Sequence, residues 1–97
     1  MDKVLSKTIV KNGIKTQSVI AMEECAELIK EISKHIRGIG DKEHLVEEMA
    51  DVYIILKQLK MMYCITNEDV DKWLNKKVAR LEGRLGDEFL GDNLADM

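Results

Sequence analysis

Not one of the 97 residues is proline. Nothing therefore interrupts a backbone hydrogen-bond ladder, and no long β-branched run alternates with the period of a strand. Both features select an all-α chain. Punctuation comes from glycine instead. Asn12-Gly13 closes a short helical segment from about Asp2 to Lys11. A long helix is predicted from about Ile14 to Arg37, ended by Gly38-Ile39-Gly40. Asp41 is placed to cap a third helix, from about Lys42 to Tyr63. Thr66, with Asp69 three residues on, reads as a capping box that opens a fourth helix to about Leu85. The expected architecture is a four-helix-bundle type in one domain spanning residues 1–97, with its working part at about 10–85. Residues 86–97 read as a loosely held, moderately acidic tail docking through Phe89, Leu90 and Leu94.

With one Trp, one Phe and two Tyr, the core must come from Leu, Ile, Val and six Met. A chain this short buries only about 60–65% of its unfolded surface, so self-association is a reasonable way to bury more. The net charge of −3 argues against a nucleic-acid polymer as partner, because such binding draws on released counterions and basic residues. It leaves room for a single nucleotide whose charge is met by a metal. No apolar run reaches the length of a membrane span, and the first residues lack the pattern of a leader, so a cytoplasmic protein with no membrane partner is expected. Cys25 and Cys64 each fall within an apolar helical pattern and read as reduced core thiols.

Two acidic clusters stand out against this background, Glu23-Glu24-Cys25-Ala26-Glu27 and Glu48-Met49-Ala50-Asp51. Each supplies two carboxylates three residues apart, close to one helical turn, so both members of a pair can reach one point in space. Glutamates on helices are usually solvated. Placing residues at about 100° per step tests that explanation. The apolar face of the second helix then reads Ala21, Cys25, Leu28, Ile29, Ile32 and Ile36, with Glu24 on its margin. Glu27 lies further round, Glu31 continues that row towards His35, and Glu23 turns to the side of Lys30 and Lys34. On the third helix the face reads Leu45, Val52, Leu56, Leu59 and Tyr63, flanked by Ile55 and Met62. Glu48 falls inside it and Asp51 on its edge. A buried carboxylate must be neutralised, paired or metal-bound. A salt bridge from Glu48 to Lys or Arg is the plain alternative, but a second acid one turn on makes a single cation insufficient.

The fourth helix supplies positive charge. Val70, Trp73, Leu74, Val78, Leu81 and Leu85 form its apolar stripe, with Lys77 inside it and Arg80 and Arg84 along its edge. These residues either neutralise Glu24, Glu48 and Asp51 directly, lay their stems on apolar surface and reach water, or face phosphate oxygens across a metal.

The order and spacing Glu-Glu-x-x-Glu, spacer, Glu-x-x-Asp resembles the signature of the MazG-like nucleotide pyrophosphohydrolases of the all-α NTP pyrophosphatase superfamily. Here it reads Glu23-Glu24-Cys25-Ala26-Glu27 and Glu48-Met49-Ala50-Asp51, and Lys77-Val78-Ala79-Arg80 is similar to that family's downstream phosphate-binding segment. The resemblance covers about residues 10–85. It implies that Glu24, Glu27, Glu48 and Asp51 bind Mg²⁺, with Mn²⁺ as a substitute, and that Glu23 is a supporting carboxylate. It also implies that Lys77, Arg80 and Arg84 meet phosphate. The implied reaction cleaves a nucleoside triphosphate between the α and β phosphates, giving a monophosphate and pyrophosphate. The implied assembly is a homodimer or dimer of dimers. Three alternatives remain: a phosphoribosyl-ATP pyrophosphohydrolase-like enzyme, a non-catalytic helical interaction module with an ionic core, and a di-iron bundle. The last wants Glu-x-x-His, which His35 and His44 do not supply.

Overall fold

In a computed structural model of the chain, residues 1–86 are described, and all of the regular structure among them is helical. The helices are α1 (Asp2–Asn12), α2 (Ile14–Ile36), α3 (Lys42–Met62) and α4 (Asn67–Leu85). Phe89, Leu90 and Leu94, expected to dock the tail, lie outside the described residues. Contacts divide the chain into two units, residues 1–65 and 66–97.

The helix ends follow from local chemistry. Gly13, with φ +84°, closes α1 by donating its N–H to Ile9 O at 2.8 Å and also stands before α2. That dihedral suits glycine and lets two helices meet at one residue. Asp41 caps α3, its carboxylate accepting from the Glu43 N–H at 2.9 Å. At the start of α4 the expected capping box forms. Thr66 Oγ1 accepts from the Asp69 N–H at 3.0 Å, and Asp69 Oδ2 accepts from the Thr66 N–H at 2.9 Å. Those bonds hold the Asp69 carboxyl below its ordinary range.

Within the first unit, α2 and α3 form an antiparallel hairpin, as the pairing of Gln17 with Gln58 and of Glu24 with Glu48 and Asp51 requires. Helix α1 packs against both and buries Leu5. The seam does not run along the faces that apolar periodicity picks out. On α2 the buried residues are Gln17, Ala21 and Glu31, whereas Ile29 is 67% and Ile36 82% exposed. On α3 they are Ile55, Gln58 and Met62, while Leu56 and Tyr63 are exposed. The covered stripe of α2 therefore passes through residues 17, 24 and 31, spaced by seven, which is two helical turns. The cause is simple. Both helices carry more apolar surface than one hairpin can cover, so apolar periodicity averages over two faces and points between them. The hairpin closes on the more polar face and leaves the other bare.

Both cysteines are free, but neither is a core thiol. Cys25 lies exposed on the bare face of α2, and Cys64 is exposed in the turn after α3 with φ +54°. Helix α4, described by itself, buries no side chain. Its stripe of Trp73, Leu74, Val78 and Leu81 is about half exposed, and Lys76 Nζ sits 4.8 Å from the Trp73 ring centroid.

Candidate metal centre

Glu24 sits seven residues beyond Gln17 on the covered stripe of α2, which turns its carboxyl towards α3. Glu48 and Asp51 sit one turn apart on the facing stripe. One carboxylate oxygen from each of the three lies within 4.8 Å of the others. Around a single Mg²⁺ with bonds of about 2.1 Å, two ligand oxygens stand at most roughly 4 Å apart. A small rotation of these side chains would close the set on one ion.

The electrostatics of the cluster all push one way. Burial raises the Glu24 carboxyl above its ordinary value of 4.5, helped by the charge of Asp51, a hydrogen bond shared with Asp51, and the charges of Glu48 and Glu27. Burial likewise raises Glu48, followed by the charges of Asp51, Glu27, Glu47 and Glu31. Burial and like charges thus act in the same direction on both groups. Glu48 Oε2 is buried and accepts no hydrogen bond. A carboxylate oxygen withdrawn from water without a donor is costly, and a cation would relieve it. The donor set is wholly oxygen, which suits a hard ion such as Mg²⁺ better than a soft one.

The other sequence-selected residues are placed as follows. Glu27 and Glu23 are on α2 and exposed, and Glu27 is close enough for its charge to act on both Glu24 and Glu48. Lys77, Arg80 and Arg84 are exposed residues of α4, within the second unit. His44 pairs with Asp41, Nδ1 to Oδ2 at 3.9 Å, as an exposed helix-end histidine.

Two further features escaped the sequence reading. Glu31 is buried, not part of an outward row. Lys34 Nζ holds its Oε1 at 3.2 Å while its Oε2 is shielded from water and accepts nothing. Gln17 and Gln58, each 3% exposed, form a buried amide relay. Asn12 Nδ2 donates to Gln17 Oε1 at 2.9 Å, Gln17 Nε2 to Gln58 Oε1 at 2.8 Å, and Gln58 Nε2 to the Leu5 carbonyl at 3.3 Å. The signal was present as spacing: Gln17 is seven residues before Glu24, and Gln58 seven after Asp51.

No family model matches this chain, and no curated protein or solved structure matches it. Among the described residues, no helix is long and apolar enough to cross a membrane.

Proposed function

We propose that this chain is a Mg²⁺-dependent nucleoside triphosphate pyrophosphohydrolase, releasing pyrophosphate and a nucleoside monophosphate. The observation that carries the reading is the meeting of Glu24, Glu48 and Asp51 with a buried, unpartnered Glu48 Oε2 among them. Three converging acids, one with a buried oxygen that accepts no bond, make a poor structural core and a good receptor for a divalent ion bearing phosphate oxygens. The resemblance of Glu23-Glu24-Cys25-Ala26-Glu27 and Glu48-Met49-Ala50-Asp51 to the MazG-like signature points to the same chemistry.

Glu24, Glu48 and Asp51 would hold the ion, with Glu27 joining from the exposed side of α2. When bound, Mg²⁺ supplies positive charge for the triphosphate and makes nearby water more acidic. The residues supply the rest. Burial and the neighbouring acids raise the Glu24 carboxyl, so filling the site with a cation would favour its ionised form. Glu23, exposed beside Glu24, is the carboxylate available to orient a water towards the α phosphorus and accept its proton. Lys77, Arg80 and Arg84 carry the positive charge assigned to the leaving pyrophosphate.

The bare apolar faces of the hairpin bear on assembly. Ile29 and Ile36 on α2, with Val46 and Tyr53 on α3, are about half exposed or more. A second copy covering these faces fits a homodimer.

The deciding experiment screens nucleoside triphosphates, phosphoribosyl-ATP included, for pyrophosphate release with and without Mg²⁺. Release is expected to require the ion and to be lost in Glu48→Gln, while that variant stays folded. The enzymatic reading fails if no substrate yields pyrophosphate and Mg²⁺ leaves the melting temperature of the wild type unchanged. A non-catalytic interaction module would give that result.

A further inference from the structure

Beside the acidic cluster lies a hollow of about 190 Å³, walled by Leu5, Ile20, Ile54 and Ile55. At the ~30 Å³ that one water occupies in the liquid, this is room for about six waters, which is a ring-sized group. It is too small for a whole drug-sized ligand, whose pockets start near ~300 Å³. Glu24 and Asp51 form part of its lining, so the hollow and the candidate metal centre share two side chains. Its remaining lining is Gln17, Gln58 and Thr8.

These polar groups keep hydrogen-bonding capacity beyond the bonds they already make. Gln17 Nε2 and Gln58 Nε2 each donate one hydrogen bond, to Gln58 Oε1 and the Leu5 carbonyl, and each amide nitrogen carries a second proton. The Thr8 hydroxyl gives its proton to the Val4 carbonyl at 3.0 Å, so its oxygen is left as an acceptor. Donors from two amides and an acceptor from a committed hydroxyl complement an adjacent C=O and N–H. That pair is the lactam edge of an oxo nucleobase. The apolar lining of Leu5, Ile20, Ile54 and Ile55 suits the faces of a planar ring.

We propose that this hollow is the nucleobase subsite and takes a base with a lactam edge, read by Gln17, Gln58 and Thr8, while the phosphates lie at Glu24, Glu48 and Asp51. The proposal rests on the pyrophosphohydrolase reading of the acidic cluster and adds the substrate class that this reading leaves open. Adenine, which has no lactam edge, would set its N6 amine, a donor, against the amide protons, and that type of mismatch discriminates more strongly than shape alone.

The test is calorimetric titration in Mg²⁺ with α,β-imido triphosphates carrying uracil, guanine or adenine, and with bare tripolyphosphate. Uracil or guanine nucleotides are expected to bind at least about tenfold more tightly than the adenine nucleotide. Ile54→Trp, which fills the hollow and leaves every polar lining residue in place, is expected to bring all three nucleotides down to the affinity of tripolyphosphate. Gln17→Glu, which replaces the donating amide nitrogen by an acceptor oxygen and keeps the shape, should erase the preference over adenine. If the wild type ranks adenine equal or higher, or Ile54→Trp keeps full nucleotide affinity, the subsite assignment is wrong while tripolyphosphate binding still upholds the metal centre. If tripolyphosphate itself shows no Mg²⁺-dependent binding, both readings fall together.

Discussion

Two polar layers lie in the same seam between α2 and α3, seven residues apart on each helix, and they are treated in opposite ways. At the Gln17–Gln58 layer each side-chain oxygen and nitrogen finds a partner, in a relay that runs from Asn12 to the Leu5 carbonyl. At the Glu24–Glu48–Asp51 layer, three like-charged groups converge and one buried oxygen accepts no bond. A buried network in which every polar atom has a partner fixes structure, whereas one with an unpartnered oxygen is a liability. Placed side by side, the first is a structural fastener that also faces a hollow. The second stores unfavourable electrostatics that a bound cation or a proton would discharge.

Substitutions that swap the two behaviours sharpen this contrast. Gln58→Leu strips the partner from Gln17 Nε2 and from the Leu5 carbonyl, and should lower stability by about 2–3 kcal/mol in urea unfolding. Glu48→Gln should do the reverse, raising the melting temperature without metal because it removes a charge from a crowded set. If both variants destabilise alike, the two layers are the same kind of structure and the comparison breaks.

Acidity probes the same difference with a definite sign. The folded-state values of Glu24 and Glu48 lie above their ordinary 4.5, so the folded chain binds these protons more tightly than the unfolded chain. Without metal, their unfavourable contribution is full at pH above the folded values and fades as pH falls towards 4.5. A melting series from pH 7.5 to about 5 should therefore show rising stability in EDTA. In saturating Mg²⁺ the slope should flatten or invert, since protons then compete with the ion. Asp69 behaves oppositely. Its folded value lies below 3.8, so its stabilisation is present above that pH and is lost as pH falls through the folded value.

The smallest effect belongs to the second unit. Thr66→Ala opens the capping box and should cost α4 about 1 kcal/mol, seen as lower helicity by circular dichroism. Pyrophosphate release should respond far less to it than to Glu48→Gln.

Much of this was legible in the sequence, and the reasons divide cleanly. Helix ends are written locally: Gly13, Asp41, and Thr66 with Asp69 act through residues within one turn, and the expected bounds differ from the observed ones by a residue. The inward placement of Glu48 and Asp51 was also legible, because an acid inside an apolar period is conspicuous. Which face the hairpin would cover was not. Ile29, Ile36 and Leu56 are as apolar as Ile55 and Met62, and composition alone does not say which set meets a neighbour within the chain. Glu31, Gln17 and Gln58 were missed for the same reason, since a polar side chain leaves no mark on an apolar periodicity. The spacing of seven would have shown them.

That spacing has an evolutionary consequence. Gln17, Glu24 and Glu31 hold the positions at which a simple helical zipper carries leucine. Exchange of such buried polar or ionic groups for well-packed aliphatics is commonly neutral or stabilising. Replacing a whole polar layer of this seam at once, both partners together, therefore leads towards a tighter hairpin that can do no chemistry. Glu24, unlike Gln17 in the same row, is a cost to the fold that chemistry at its site would offset.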